Sequence, residues 1–268
     1  MHLKRWITGI CLLPFVIFAV YKGGLFFAAL VSAASLVALW EYYRIALGAK
    51  THSLSGIILW WGYGIDLALI WTAYLKRSDL SLSLLAANLL VIAVISMFQF
   101  KSNRSVLEVI TGQLQGIIYI PVLLSFLILI REGSSGMVWI FILLAIIFAG
   151  DTGAYYVGSY FGRRKISPAI SPGKTIEGSI GGLGANLIVG TAGKFFFLPE
   201  LPWATSILFF MAAGIVGQVG DLFESELKRS SGIKDSSGIL PGHGGILDRI
   251  DALLFASPVA YFFIRHVF

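Results

Sequence analysis

Residues 137–160, MVWIFILLAIIFAGDTGAYYVGSY, decide the fold class. Their first fourteen positions are apolar or glycine. The whole stretch has the length that a helix rising ~1.5 Å per residue needs to cross a hydrocarbon layer of ~30 Å. Similar stretches recur, and we predict nine membrane-spanning helices, at about 6–21, 23–43, 54–75, 80–100, 106–130, 137–160, 176–193, 203–223 and 250–268. The sequence therefore predicts an all-α, polytopic integral membrane protein.

The composition excludes an ordinary soluble domain. Of 268 residues, 57% are hydrophobic and 13% are charged, whereas an average soluble domain has ~25% charged residues. The first span is short and contains Pro14, but no small-residue cleavage site follows it, so we interpret it as a retained span and not as a secretory signal. The single cysteine, Cys11, excludes an intrachain disulfide.

The basic residues predict the orientation. The N-terminus and the loops after spans 2, 4, 6 and 8 hold 14 of the 20 Lys and Arg residues: Lys4, Arg5, Arg44, Lys50, Lys101, Arg104, Arg163, Arg164, Lys165, Lys174, Lys228, Arg229, Lys234 and Arg249. This bias predicts a cytosolic N-terminus and cytosolic later loops. A basic collar beside anionic lipid headgroups accounts for the net charge of +6. We therefore expect no nucleic-acid partner.

The chain is predicted to form one integral membrane domain, residues 1–268, with two unlike halves. Helices in 1–130 are expected to act as a scaffold, whereas 131–268 holds most of the acidic residues and both long polar loops, 161–175 and 228–249. Both loops follow a span that contains Gly-Asp. A duplicated two-helix unit would explain this likeness, but the match covers only a few residues.

The segment SPGKTIEG at 171–178 resembles the end of a phosphate-binding P-loop. That motif requires glycine where Pro168 stands, and it requires a preceding strand that a membrane helix does not provide. A P-loop is therefore rejected.

The same segment predicts a helix start. Ser171 followed by Pro172 is a favourable N-cap and first-turn pair, which would place Lys174 and Thr175 in the first turn and Glu177 just beyond them. Free N–H groups at such a helix end bind anions. The alternative is a capped helix with a lysine that only extends to the membrane interface.

Acidic residues inside predicted spans need partners or water. An unpaired carboxylate at the position of Asp151 would cost ~2.5–3.5 kcal/mol. It either belongs to a site or makes a structural hydrogen bond within its TGAYY neighbourhood. Asp66 stands alone in span 3, without polar neighbours, and is interpreted as structural.

Carboxylates also gather at the ends of the last two spans. Asp221 closes span 8, and its helical face continues through Glu224, Ser225 and Lys228. Asp248 and Asp251 open span 9. If the two helix ends meet, Asp221, Asp248 and Asp251 point at one place, and their mutual repulsion predicts a bound cation. Oxygen ligands favour Mg²⁺ or Ca²⁺ over zinc. The alternative is that the acids pair with neighbouring Lys and Arg side chains.

The loop between these helix ends has the composition of an anion-binding loop. Five residues could donate to anionic oxygens: Lys228, Arg229, Lys234, His243 and Arg249. Interspersed glycines leave the backbone free to approach a ligand closely. Cations, a metal and a glycine-rich backbone are typical of phosphoryl or nucleotidyl transfer, where positioning and charge neutralisation supply most of the catalysis.

The run SELKRSSGIKDSSGILPGHGGILDRID, from Ser225 to Asp251, resembles the signature of the phosphatidate cytidylyltransferases, the CDP-diacylglycerol synthases. Its matching elements are Ser225, Lys228-Arg229, Lys234-Asp235, His243-Gly244-Gly245 and Asp248-Arg249-Ile250-Asp251. Segments 150–162 and 171–178 also resemble parts of that family. Gly173 departs from the pattern, since a lysine or a similar residue is expected there. Because glycine has no side chain, no side-chain ligand is expected at this position, whereas the expectation for Lys174 is unaffected.

The resemblance implies that the protein condenses CTP with phosphatidic acid, giving CDP-diacylglycerol and pyrophosphate. It implies Mg²⁺ held by Asp221, Asp248 and Asp251, and leaves a second cation open. The expected catalytic residues are Asp221, Asp248, Asp251, Lys228 and Arg229. The expected substrate-binding residues are Asp151, Ser171, Lys174, Thr175, Glu177, Ser225, Lys234, Asp235, His243, Gly244, Gly245 and Arg249. Lys174 and its helix start would bind the lipid phosphate.

Such an enzyme is expected in the inner (plasma) membrane, with its site at the cytosolic rim. Three alternatives remain: a CTP-dependent enzyme acting on an ether-lipid phosphate or a polyprenol, a secondary transporter, and an enzyme that consumes CDP-diacylglycerol. A transporter would not need five donors on one loop. The aspartate spacing expected for the third is absent. The sequence leaves acyl preference and a homodimer open.

Overall fold

The computed structural model describes residues 2–48, 56–99, 106–240, 242 and 244–268. The chain folds into helices joined by short loops and one small hairpin. The helices are α1 (His2–Lys22), α2 (Gly24–Leu47), α3 (Gly56–Tyr74), α4 (Ser78–Gln99), α5 (Val106–Ile117), α6 (Leu123–Arg131), α7 (Gly136–Phe161), α8 (Ile176–Phe197), α9 (Trp203–Ser230) and α10 (Leu247–His266). The strands are β1 (Lys165–Ser167) and β2 (Ser171–Thr175).

The predicted class, an all-α polytopic membrane protein, is confirmed. Seven helical runs within the described ranges are long and apolar enough to span a membrane. The predicted first span lies in α1, of which Leu12–Lys22 is an apolar stretch, and the predicted last span lies in α10, which has three charged residues in its first turns. The count of nine and the orientation stay predictions. Lys50, Lys101 and Arg104, used for the orientation, lie outside the described residues.

The surface of the bundle is apolar. Large hydrophobic side chains such as Phe15, Trp60 and Phe98 are exposed, although in water such residues would be buried. Acyl chains are a suitable solvent for them, so these side chains mark the lipid-facing surface of the protein.

Polar side chains inside the N-terminal bundle pair with one another. The Ser35 hydroxyl on α2 donates to Asp66 Oδ1 on α3 at 2.5 Å. The Asn88 and Gln113 amides exchange hydrogen bonds of 3.1 and 3.0 Å between α4 and α5. Such pairs stabilise helix contacts where water is absent. Asp66 has the structural role that its isolated position in the sequence indicated.

A π-helical turn, Ile118–Val122, joins α5 to α6 within one continuous run. It contains Pro121, which has no backbone N–H to donate and whose ring clashes with the carbonyl group one turn earlier in a regular α-helix. A wider turn accommodates the missing N–H without ending the helix. The predicted span at 106–130 is therefore a single helical run with a local change of pitch.

Helices α7 and α8 pack closely because glycines face one another. A Cβ atom added to Gly182 would lie 2.8 Å from the carbonyl oxygen of Gly150, and one added to Gly178 would lie 2.7 Å from that of Ala154. Both distances are below van der Waals contact, so only glycine permits this approach. The close contact sets Ala154 beside the start of α8 and Gly150, the neighbour of Asp151, beside Gly182 further along it.

The prediction that a helix begins at Ser171 is wrong. Ser171–Thr175 forms β2, which pairs antiparallel with β1, and α8 begins only at Ile176. Thr175 is the N-cap, and its Oγ1 accepts a hydrogen bond from the Gly178 N–H at 3.1 Å. Threonine is also a favoured N-cap. Lys174 and Thr175 therefore precede the first turn of α8, and only Glu177 lies in it.

Candidate active site

Lys228 joins the ends of α9 and α10. Its Nζ lies 2.5 Å from Glu224 Oε2, one turn earlier on α9, and 2.5 Å from Asp248 Oδ1 on α10. All three side chains are largely buried, at 11%, 1% and 7% exposed respectively. Because breaking a buried ion pair is strongly destabilising, Lys228 with its two carboxylate partners holds the end of α9 against the start of α10. Lys228 is an expected catalytic residue, and in the structure its ammonium is enclosed between two carboxylates, so its catalytic role stays a prediction.

Asp248 is held by donors on both oxygens. Its Oδ1 contacts Lys228, and its Oδ2 accepts hydrogen bonds from the Ser236 N–H at 3.0 Å, the Ser236 hydroxyl at 2.8 Å and the Gly245 N–H at 2.7 Å. Both oxygens therefore have protein partners, and the role of Asp248 as a metal ligand stays a prediction. Asp248 organises the loop that precedes it.

Glu41, on α2, is a site residue that the sequence reasoning missed. It is fully buried. Its carboxylate accepts from the Ser236 hydroxyl at 3.1 Å, the Ser237 hydroxyl, the Ile246 N–H at 3.1 Å and the Leu247 N–H at 2.7 Å. Its sequence signal is an acidic residue inside the apolar run LVALWEYYRIAL, the same signal that Asp151 carries.

Gly244 and Gly245 pack against these carboxylates. Gly244 has φ +77, and a Cβ atom there would lie 2.5 Å from Asp248 Oδ2. A Cβ atom on Gly245 would lie 2.5 Å from Glu41 Cδ. Both glycines are expected substrate-binding residues; in the structure the Gly245 N–H donates to Asp248, and their contact with substrate stays a prediction. His243, predicted beside them, lies outside the described residues.

A second, more open cluster lies where α7, β2, α9 and α10 meet. Lys174 Nζ on β2 forms an ion pair of 2.7 Å with Asp221 Oδ1 on α9. These side chains are 26% and 35% exposed. Asp151, exposed on α7, interacts electrostatically with Asp221, Lys174 and Arg249. Asp251 interacts electrostatically with Asp221 and Asp151. Three carboxylates thus share one region with two cations.

The predicted set of three metal ligands, Asp221, Asp248 and Asp251, stays a prediction. Among the described residues, no group of three or more Asp, Glu, His or Cys side chains is arranged to hold a metal ion. Mg²⁺ is commonly bound by only one or two protein carboxylates together with substrate phosphates. Asp221 and Asp251 fit that pattern, because they come from two helices and crowd negative charge into one place.

Other predicted residues stabilise the surrounding loops. Glu177 accepts from the backbone N–H groups of Arg163 at 2.9 Å and Arg164 at 3.1 Å, which fixes the start of the hairpin. Arg229 donates to the carbonyl oxygens of Ile170 at 3.2 Å and Ile233 at 3.0 Å. These contacts give structural partners to Glu177, a predicted substrate-binding residue, and to Arg229, a predicted catalytic residue, and both roles stay predictions.

The remaining predicted residues surround the open cluster or the loop. Ser171 lies in β2 and Ser225 on α9, both half-buried. Lys234 and Asp235 are exposed in the loop between α9 and α10. Arg249 is exposed in the first turn of α10. The predicted contacts of these five residues with the substrates stay predictions.

Comparison with known proteins covers nearly the whole chain. The family model described as "Cytidylyltransferase family" matches residues 3–267. A phosphatidate cytidylyltransferase of Bacillus subtilis is 34% identical over 270 residues, 97% of this chain and 96% of that protein. One of Staphylococcus saprophyticus is 34% identical over 255 residues, 95% and 96% of the two chains. One of Synechocystis is 43% identical over 130 residues, 48% and 44% of the two chains.

These matches agree with the resemblance carried by residues 225–251. They also include α2, with the buried Glu41, and the hairpin that carries Lys174. Every element that builds the two clusters is therefore part of the matched region. The chain belongs to the cytidylyltransferase family.

Proposed function

We propose that the chain is an integral membrane enzyme that transfers a cytidylyl group from CTP to phosphatidate, giving CDP-diacylglycerol and pyrophosphate. The observation that carries this proposal is its similarity, over at least 95% of its length, to several proteins named phosphatidate cytidylyltransferase. The two charged clusters at the ends of α9 and α10 support it, because transfer between phosphates requires several anionic groups to be held together.

The reaction forms one P–O bond and breaks another. A phosphate oxygen of phosphatidate bonds to the α-phosphorus of CTP, while the bond from that phosphorus to the oxygen bridging the β-phosphate breaks. Pyrophosphate leaves with the electron pair. Because the attacking oxygen is already anionic at neutral pH, no general base is required. The protein must bring together anions that repel one another, so its main contribution is positioning and charge neutralisation.

In this mechanism the open cluster binds the phosphates. Lys174 and Arg249 are cations beside three carboxylates at the meeting point of four elements. A phosphate that binds Lys174 competes with Asp221 for the ammonium group. Lys234 adds an exposed cation on the loop above. The buried cluster around Lys228 keeps the two helix ends at a fixed separation.

We propose that Asp221 and Asp251 hold Mg²⁺ together with substrate phosphates. When bound, the ion neutralises the charge that accumulates on the reacting phosphates. Asp151 would add a further carboxylate if a second cation binds. Asp248 is not included, because Lys228, Ser236 and Gly245 already engage its oxygens.

We infer that the site faces the cytosol at the inner (plasma) membrane. The charge bias of the loops favours this side, and CTP reaches the site from water while the lipid arrives sideways from the leaflet. A homodimer stays a prediction.

The proposal is tested with purified protein in mixed micelles containing CTP labelled at the α-phosphate. We expect label in lipid only when phosphatidate and Mg²⁺ are both present, with one pyrophosphate released per lipid labelled. Matched reactions contain an ether-linked phosphatidate or a polyprenyl phosphate instead. Faster labelling of either alternative lipid would contradict phosphatidate as the substrate, and no labelled lipid in any reaction would contradict the activity.

A further inference from the structure

Glu41 connects the N-terminal bundle to the loop between α9 and α10. We propose that Glu41 is a positioning residue for cytidylyl transfer, which holds residues 236–247 so that Asp248, Lys228 and the start of α10 keep their places. This inference rests on the proposed function. Glu41 acts through other residues, because it is fully buried and its oxygens have protein donors.

The contacts of Glu41 fix both ends of the segment that leads into α10. The hydroxyls of Ser236 and Ser237 lie at its beginning, and the N–H groups of Ile246 and Leu247 lie at its end. N–H groups at a helix start lack partners within the helix and attract negative charge. Glu41 therefore caps α10 from a different helix. A further link, from the Ser231 hydroxyl to the Ile45 carbonyl oxygen at 2.6 Å, joins the same loop to α2.

A short chain of contacts leads from Glu41 to the end of α9. The Ser236 hydroxyl lies 3.1 Å from Glu41 Oε2 and 2.8 Å from Asp248 Oδ2. Asp248 contacts Lys228, and Lys228 contacts Glu224. Moving the Glu41 carboxylate would shift Ser236 and then Asp248. Displacement of catalytic groups by about 1 Å can lower a rate about 100-fold.

Asp66 provides a matched comparison. It is also a fully buried carboxylate in the N-terminal bundle, and it accepts a hydrogen bond from Ser35 on α2. Its described partner lies within that bundle and not in the 231–246 loop. If Glu41 only stabilised the fold, replacing either carboxylate by its amide would have the same kind of effect. If Glu41 positions the loop, only the Glu41 variant changes turnover per folded molecule.

The test compares Glu41→Gln with Asp66→Asn in detergent, at temperatures equally far below each variant's own unfolding midpoint. Glutamine keeps the size of the side chain but sets an NH₂ group against N–H or hydroxyl donors. We expect Glu41→Gln to lower kcat about 10- to 100-fold with a smaller change in KM for CTP, and Asp66→Asn to retain kcat within about twofold. We also expect faster amide hydrogen exchange in 231–247 for Glu41→Gln alone.

Ser237→Ala and Ser230→Ala keep the inference testable if Glu41→Gln does not fold. The Ser237 hydroxyl donates to Glu41, whereas the Ser230 hydroxyl donates to Leu227 within its own helix. Ser237→Ala should lower kcat by about threefold and speed loop exchange, whereas Ser230→Ala should do neither.

Unchanged kcat and unchanged loop exchange in Glu41→Gln or Ser237→Ala would overturn the inference. Equal losses in Glu41→Gln and Asp66→Asn would do so as well, because they would reflect stability alone. Failure of the proposed function has a different signature: the unmodified protein makes no labelled lipid, while the exchange comparison still decides whether Glu41 fixes the loop.

Discussion

The two polar loops of the C-terminal half hold charged residues at the membrane edge in different ways. The loop between α7 and α8 is a β-hairpin, in which backbone hydrogen bonds pair β1 with β2. Among its described residues, the loop between α9 and α10 has one isolated bridge, Leu240 with Gly244, and backbone turn hydrogen bonds at its start, whereas its later part is held by the side chains of Glu41, Lys228 and Asp248. Side-chain substitutions should therefore leave the fold of the first loop intact and destabilise that of the second.

The largest expected effect is that of Lys228→Met. Removing this ammonium leaves Glu224 and Asp248 buried without their common partner, which should cost about 3–5 kcal/mol of folding free energy and abolish transfer. The measurement is the unfolding midpoint in detergent together with labelled lipid formed. Arg229→Met is the control, because that exposed guanidinium donates to carbonyl oxygens. An equal loss in both variants would contradict a special role for the buried cluster.

Next in size is Gly245→Ala. The added methyl group would meet the Glu41 carboxyl group, with Cδ at 2.5 Å, and overpacking of this kind costs about 1–3 kcal/mol. Gly238→Ala in the same loop is the control, since no described atom lies within 4 Å of its added Cβ. We expect stability and activity to fall for Gly245→Ala only. Retained activity in Gly245→Ala would show that the loop has more freedom than these contacts allow.

Lys174→Met tests the charged residue that the hairpin contributes. Its ion pair with Asp221 is partly exposed, so the unfolding midpoint should change little. If Lys174 binds a substrate phosphate, KM for phosphatidate or CTP should rise about tenfold, equivalent to about 1.4 kcal/mol. Lys165→Met, on the neighbouring strand, is the matched control. Wild-type kinetics in Lys174→Met would remove this residue from the site.

The smallest expected effect is that of Thr175→Ala. Loss of the Thr175 cap on the Gly178 N–H should cost about 1 kcal/mol. Transfer at saturating substrate should stay near the wild-type rate, because the paired backbone of the hairpin still holds Lys174. Thr175→Ser, which keeps the hydroxyl, should restore the unfolding midpoint. A large loss of kcat in Thr175→Ala would make the two loops equally sensitive.

The membrane spans were predictable because apolar length determines them. The quoted stretch 137–160 lies within α7, Gly136–Phe161. The hairpin was missed because Ser171-Pro172 and Thr175 are both credible helix starts, and only pairing with residues 165–167 decides between them. Local propensity carries no information about that pairing.

Within the candidate site, residue types were more predictable than pairings. The sequence shows Lys228, Asp221 and Asp248 close to two helix ends, but a carboxylate that binds a metal and one that binds a lysine look alike in sequence. Glu41 was missed because its donors lie between 195 and 206 positions away along the chain. No local motif could connect them.

The contacts of Glu41 have a consequence for biogenesis. The Leu247 N–H is synthesised 206 residues after the carboxylate that it binds, which at ~5–20 residues per second is an interval of roughly 10–40 seconds. During that time α2 enters the membrane without the donors that later surround Glu41. A carboxylate without partners disfavours deep insertion, and Glu41 is only six positions before the end of α2 at Leu47. Until those donors are made, the unpartnered carboxylate favours a position of this helix end at the aqueous interface.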